Sequence, residues 1–186
     1  MNLFLDTESN GMRPEQVCQL AVLAENAGVL TGYNWYWPVS CMNPYAQKKH
    51  GFSRRKLLQL ANGRTFADDE VEVSALLRTG RIYGHNISSD MHALRMMGLD
   101  TRALPTFDTM AHFSRCVGAL GRDGKPKKAS LSETAAHYGI TEAAVTDVCR
   151  AAFGARGRAH DARFDAAMTY LILLRASGRG DIRGVF

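Results

Sequence analysis

The chain has 186 residues, of which 46% are hydrophobic, and carries a formal net charge of +5 at pH 7. This length and composition suit one domain with a substantial core, and the longest apolar runs are too short to span a bilayer as a helix. The four cysteines are scattered and form no C-x-x-C pair, which argues against structural zinc and against a disulfide scaffold. We therefore expect a soluble, cytoplasmic domain over residues 1–178 and a mobile tail over residues 179–186. The basic excess favours a polyanionic ligand.

The first predicted strand ends in two carboxylates. Leu3, Phe4 and Leu5 form an apolar run typical of a strand buried on both faces, and Asp6 and Glu8 come after it. Side chains two residues apart on a strand share a face, so these charges repel one another unless a cation lies between them. Oxygen ligands of this kind favour a hard ion such as Mg²⁺ or Mn²⁺ over Zn²⁺. Taken alone, the pattern also fits a strand that ends in solvated acids.

Two further strands are predicted directly after this one. Residues 16–25 and 30–39 are rich in Val, Leu, Tyr and Trp, which favours two strands that form a meander with the first. Trp35 and Trp37 could offer a base-stacking surface, but aromatic residues of a sheet more often pack against a helix. We therefore assign both to the core.

A basic segment follows the meander. Residues 48–56 carry five positive charges together with His50 and Phe52, and we interpret them as a loop that leads into a short helix after Ser53. Such a segment can hold a phosphate backbone and press an exposed Phe52 against a terminal base. A solvated basic helix face is the alternative interpretation.

The remainder of the chain alternates short strands with helices. Because strands dominate the beginning and helices the end, we predict an α/β domain in which helices pack against a mixed sheet. The predicted strands are residues 81–84 and 104–107, and the predicted helices are residues 66–79, 90–97, 110–117, 130–138, 141–151 and 161–177.

Three further residues complete a candidate catalytic set. Asp90 begins a helix just after a strand, Asp165 lies one turn into the last helix among apolar neighbours, and His160 precedes that helix on a Gly/Arg-rich stretch. Asp90 could instead be a solvated residue at a helix start, and His160 a solvated surface residue, whereas a carboxylate at Asp165 is costly unless it meets a cation. Together with Asp6 and Glu8 they match the groups needed for two-metal phosphodiester hydrolysis, with the histidine as the base. Imidazole suits this role because its usual pKa of about 6.5 leaves it largely neutral at pH 7.

The order of three motifs gives the chain a resemblance to a known family. The motifs are D-T-E at residues 6–8, G-H-N-x-x-x-D at 84–90 and H-x-x-x-x-D at 160–165. In this order they resemble the motifs of the DnaQ-like DEDDh 3′-to-5′ exonucleases, and the resemblance covers nearly the whole chain. It implies a ribonuclease H-like fold, with a mixed five-stranded sheet flanked by helices. It also implies release of nucleoside 5′-monophosphates from the 3′ end of DNA or RNA.

The resemblance also implies a role for each motif residue. Asp6, Glu8 and Asp165 would bind the catalytic Mg²⁺ or Mn²⁺. Asp6 would also bridge to a second ion, which Asp90 would hold directly or through water. His160 would be the general base. The tyrosine subtype of the family is a poorer match, because Asp161 stands at the tyrosine position. The residues expected to contact nucleic acid are Thr7, Asn10, Gly11, His50, Phe52, Arg54 and Asn86.

Two other functions stay open at this point. The chain could be a nucleic-acid-binding module without catalysis, although a decayed enzyme would be expected to lack one of the five site residues. It could also be the accessory proofreading subunit of a polymerase. The expected partner is a nucleic acid with a 3′ end, most simply single-stranded, with a polymerase or a second copy of the chain as further options and no membrane.

Overall fold

The computed structural model describes residues 1–186, and none of its helices combines the length and apolarity needed to cross a bilayer. Five strands form one sheet: β1 Asn2–Ser9, β2 Val17–Asn26, β3 Val29–Tyr36, β4 Arg81–Gly84 and β5 Thr106–Asp108. Eight helices flank it: α1 Pro44–His50, α2 Arg54–Ala61, α3 Phe66–Leu77, α4 Ile87–Met96, α5 Thr109–Val117, α6 Leu131–His137, α7 Glu142–Phe153 and α8 Ala162–Arg179.

β1 is the central strand of the sheet, whose order is β3-β2-β1-β4-β5. It pairs antiparallel with β2 and parallel with β4. Because β1 and β4 run in the same direction, the residues that follow them lie at one edge of the sheet. The predicted single α/β domain, with a mixed five-stranded sheet flanked by helices, is confirmed.

Alternate residues of β1 face two separate cores. Leu3 and Leu5 belong to the core that contains residues of α3 and α4, whereas Phe4 belongs to the core that contains residues of α8. Since strand side chains alternate, Asp6 and Glu8 point to the α8 side of the sheet. Thr7, the residue between them in the D-x-E motif, points to the α4 side of the sheet.

Trp35 of β3 and Trp37, which follows the strand, are part of the core, as the sequence predicts. Trp35 and Trp37 are buried in the core on the α3 and α4 side. The indole nitrogen of Trp37 donates to Asp69 Oδ2 over 2.8 Å, and the carboxylate of Asp69 also pairs with Arg64. The assignment of both tryptophans to the core is therefore confirmed.

The start of the predicted basic loop is a helix, α1. Asn43 caps it, because its side chain accepts a hydrogen bond from Tyr45 N over 2.8 Å, and Pro44 occupies the first turn. Gly51, at φ 79°, ends the helix in the left-handed conformation. The loop prediction is wrong for residues 48–50, because proline favours the first position of a helix and Pro44 begins one that runs to His50.

Residues 179–186, predicted as a mobile tail, lie against the start of β1. The side-chain amide of Asn2 donates to Val185 O over 2.5 Å, and the ring of Phe186 stacks on that of Phe4 with centroids 6.2 Å apart. Val185 is buried. Burial of Val185 packs the end of the chain against the domain, and the domain boundary at residue 178 stays a prediction.

We expect Leu23→Ala to lower the free energy of unfolding by about 3 kcal/mol, because it leaves a cavity in the core between β2 and α8. Leu23 is fully buried in that core. The measurement is urea unfolding followed by circular dichroism. Val71→Ala is the control, since Val71 is 82% exposed on α3, and its effect should stay within about 0.5 kcal/mol. Equal losses in the two variants would contradict the packing described.

Candidate metal and nucleic-acid site

The acidic residues of the three motifs meet at the carboxyl end of β1. Glu8, His160 and Asp165 each offer a ligand atom within 4.8 Å of those of the other two. Asp165 reaches this point because it lies in the first turn of α8, which packs on the face of the sheet to which Glu8 points. The structure thus brings together residues that are up to 157 positions apart in the sequence.

Asp90 reaches the same strand end from α4. Its Oδ1 accepts hydrogen bonds from Thr7 N over 3.0 Å and from Thr7 Oγ1 over 2.6 Å. Thr7 is the residue of the D-x-E motif that faces α4, so it ties the first turn of that helix to β1. Asn86, at φ 67°, begins the helix, and its N–H donates to Asp108 Oδ1 over 3.0 Å.

Burial makes the four carboxylates costly to ionise. It is the main reason why the pKa of Asp6 lies well above its usual value, and the charges of Asp165, Asp90 and Glu8 raise it further. Burial likewise raises the pKa of Glu8 to about 8 and the pKa values of Asp90 and Asp165 to about 7. Such a cluster can be fully ionised at neutral pH only if cations compensate for its charge.

The donor atoms of the cluster fit a hard divalent cation. Four carboxylates supply oxygen atoms, which is the ligand type that Mg²⁺ and Mn²⁺ prefer. No cysteine belongs to the cluster, and the thiol of Cys18 on the neighbouring strand is buried, which raises its pKa. Which ion binds stays a prediction.

His160 lies at the open side of the cluster. It is exposed and adopts φ 63°, in the left-handed region that non-glycine residues rarely occupy. Its pKa is lowered by partial burial and further by the charges of Lys49 and Arg158. The imidazole is therefore neutral at pH 7 and able to accept a proton.

A pocket of about 300 Å³ opens beside the carboxylates. Its walls come from the end of β1, from α1 and from α4. Tyr45, which is 78% exposed, and Lys49 project from α1 into this wall. The lining residues are Thr7, Glu8, Ser9, Gly11, Glu15, Tyr45, Ala46, Lys49, His50, Ser89, Asp90 and Ala93. Sequence reasoning missed Tyr45 as a site residue and included Lys49 only as one charge of the basic segment 48–56, although the Asn-Pro start of a helix was a signal that could have placed both.

Three residues expected to contact nucleic acid line this pocket: Thr7, Gly11 and His50. Gly11 lies so close to α1 that a Cβ atom there would meet the Cβ atom of Ala46 at 2.8 Å. His50 is buried; its Nδ1 accepts from Phe52 N over 3.0 Å, so its Nε2–H faces Ser9 O at 3.2 Å as a donor. His50 thus fastens α1 to the end of β1.

The remaining expected contacts have structural partners outside the pocket. Phe52 is only 3% exposed and packs against Cys18 and Leu57, so the expectation of an exposed apolar wedge at this position is wrong. The physical reason is that the fold offers the ring apolar partners, since it stacks on His50 and meets the ring of Tyr36 edge-on. Asn10 is buried and accepts hydrogen bonds from two backbone N–H groups, and Arg54 donates to Val39 O over 3.3 Å.

Comparison with solved structures shows a ribonuclease H-like fold. Exonuclease I of E. coli, solved in complex with a dA16 oligonucleotide, superposes with a TM-score of 0.70 at 17% identity over 95% of this chain. Exonuclease I of Methylocaldum szegediense has a TM-score of 0.70 at 15% identity over 96% of this chain. The chain spans 40% of the length of each of these proteins. No protein-family model and no curated protein sequence matches it.

We expect the metal-free chain to become less stable as the pH rises from about 6 to about 9. The raised pKa values of Glu8, about 8, and of Asp90 and Asp165, about 7, mean that the folded chain keeps protons which the unfolded chain releases near pH 4. This stabilising contribution is present at low pH and is lost as the pH rises through the folded-state values. Thermal unfolding with a chelator at the two pH values measures the effect.

Two controls belong to this measurement. Added Mg²⁺ or Mn²⁺ should raise the melting temperature more at the higher pH, because the ionised carboxylates bind the cation. Asp165→Asn removes one titrating group and should make the pH dependence shallower. A melting temperature that rises over this pH range in the metal-free protein would contradict the electrostatics of the cluster.

Proposed function

We propose that the chain is a metal-dependent 3′-to-5′ exonuclease of the DnaQ-like DEDDh type. The observation that carries the proposal is that Glu8, His160 and Asp165 place ligand atoms within 4.8 Å of one another. Beside them lies Asp90, which accepts a hydrogen bond from Thr7. A fold shared with exonuclease I, which has been solved with a bound oligonucleotide, adds support for a single-stranded substrate. DNA and RNA are both candidates, since no residue can be assigned to a 2′-hydroxyl.

The acidic residues hold the cofactor in this proposal. Asp6, Glu8, Asp90 and Asp165 would hold the Mg²⁺ or Mn²⁺ ions through their carboxylate oxygens. When bound, the two ions neutralise the phosphate and stabilise the charge on the attacking and leaving oxygens. Ligands from β1, α4 and α8 fix this arrangement because all three elements belong to the rigid core of the domain.

His160 moves the proton of the attacking water. Its neutral imidazole accepts that proton while the water oxygen forms a bond to phosphorus and the bond from phosphorus to the 3′ oxygen of the preceding nucleotide breaks. The leaving 3′ oxygen then takes a proton from solvent. The products are a nucleoside 5′-monophosphate and a strand shortened by one residue.

Two residues of α1 contact the substrate in this proposal. The exposed ring of Tyr45 offers a flat apolar face for the terminal base, and aromatic stacking holds bases with little regard to sequence. The ammonium group of Lys49 lies at the pocket beside the acidic cluster, where it can pair with a phosphate. This assigns to α1 the role that the sequence analysis gave to Phe52.

The experiment that tests the function is digestion of 5′-labelled single-stranded DNA and RNA. We expect stepwise shortening from the 3′ end in Mg²⁺ or Mn²⁺, and none in a chelator, because a chelator removes the ions that would neutralise the phosphate and the leaving oxygen. Blocking the 3′ end should slow the reaction, whereas blocking the 5′ end should not. Binding of the oligonucleotides without shortening in either metal would instead favour a non-catalytic binding module.

We expect His160→Ala to lower kcat by about 100-fold or more, since general-base catalysis contributes at least this much. Binding of Mn²⁺, measured by isothermal titration calorimetry, should be retained. Asp165→Asn is the matched comparison, because it should abolish turnover and weaken Mn²⁺ binding with the fold intact by circular dichroism. Loss of Mn²⁺ affinity in His160→Ala would make His160 a ligand, and would contradict its role as the base.

A further inference from the structure

Gln19 lies directly across the sheet from Glu8. In the antiparallel pairing of β1 and β2 these two residues are register partners, so their side chains point to the same face, the one covered by α8. Gln19 is 0% exposed. A glutamine buried to this degree is unusual, and every polar atom of its side chain requires a partner.

The carboxamide of Gln19 joins the sheet to the first turn of α8. Its Nε2 donates to Asp161 Oδ1 over 2.9 Å, and its Oε1 accepts from Ala162 N over 3.0 Å. On the other side, Nε2 lies 2.9 Å from Asn34 Oδ1 and 3.2 Å from the hydroxyl of Tyr36, both on β3. The side chain therefore connects three elements.

Asp161 is held at several points besides Gln19. Its carboxylate caps α8 by accepting from Arg163 N over 3.1 Å, and it pairs with the Arg163 guanidinium through contacts of 2.9 and 2.6 Å. Its carbonyl accepts from Asp165 N over 3.1 Å. Because His160 precedes Asp161 in the chain, these bonds fix the point from which the imidazole leaves the backbone.

The backbone of His160 needs such support. A non-glycine residue at φ 63° is in a conformation that persists only where its surroundings determine it. Two side chains help to hold the entry of α8: Arg163, which pairs with Asp161, and Gln19, which bonds to both Asp161 and Ala162. Of these two side chains, Gln19 is the one that connects the segment carrying His160 to β2, where Gln19 lies opposite Glu8.

We propose that Gln19 is a positioning residue, which holds the entry of α8 at the distance from β1 at which His160 and Asp165 share one site with Glu8. The effect of Gln19 on turnover rests on the exonuclease proposed above, whereas its effect on geometry does not. An apolar side chain at this position could fill the same volume in the core. It could not hold Asp161 and Ala162 in register with Glu8, because both hydrogen bonds would be lost.

The experiment compares two variants of Gln19 with a matched control. Gln19→Met keeps the length and burial of the side chain and removes its hydrogen bonds. Gln19→Asn keeps the carboxamide on a shorter side chain. It is the second variant, because it retains a polar group at this buried position. Tyr36→Phe is the control, because it removes one hydrogen bond to the same carboxamide and leaves the two bonds to α8.

The direct readout is the broadening of the His160 imidazole resonance by Mn²⁺ in the NMR spectrum, assigned by comparison with His160→Ala. The broadening falls steeply with distance, so it reports how closely the imidazole approaches the bound ion. We expect strong broadening in the wild type and in Tyr36→Phe, and at least about threefold less in both Gln19 variants. We also expect kcat to fall between about 10- and 100-fold in these variants, with KM within about twofold.

The outcomes separate this proposal from the proposed function. One outcome is strong broadening in the wild type that is lost in the Gln19 variants, with no digestion of nucleic acid by any of them. This outcome would overturn the exonuclease and retain the positioning role. Digestion with kcat within about twofold of the wild type in both Gln19 variants, or unchanged broadening, would overturn the positioning role alone. Loss of the folded NMR spectrum in both variants would also overturn it, since Gln19 would then serve the folding core.

Discussion

Mutual repulsion among buried acidic groups is the constraint on which the rest of the structure depends. Asp6 and Glu8 end the central strand, and two helices bring Asp90 and Asp165 to the same point. Burial is the main reason why the pKa values of all four carboxyl groups are raised, and for Asp6 and Glu8 the neighbouring carboxylates raise them further. The fold stores this unfavourable interaction, and a bound divalent cation would relieve it.

The surroundings of the cluster are arranged to keep these groups in place. Thr7 bonds to Asp90 on one face of the sheet, while Gln19 and Arg163 fix Asp161 on the other. Helix α1 forms the pocket wall and is fastened to the strand end by His50. The carboxyl end of β1 is thus supported on both faces of the sheet, as expected of a site whose geometry is fixed before a ligand binds.

Much of this arrangement could be predicted from local patterns in the sequence. The apolar run before Asp6 predicts the buried strand, and the spacing of His160 and Asp165 places both near one helix start. The polar network of Gln19 could not be predicted in this way, because its partners are set by the pairing of β2 with β1 and by the docking of α8. The burial of Phe52 could not be predicted for a similar reason, since its partners Tyr36 and Leu57 meet it only in the folded chain.

The packing of α8 on β1 has a consequence for folding. β1 and β2 are neighbours in sequence and can pair early, whereas α8 supplies its side of the core from the far end of the chain. Until that helix docks, Asp6 and Glu8 remain hydrated and ionise as ordinary carboxyl groups. The energetic cost of concentrating charge therefore arises when α8 docks, and a cation bound at that stage would favour the native state.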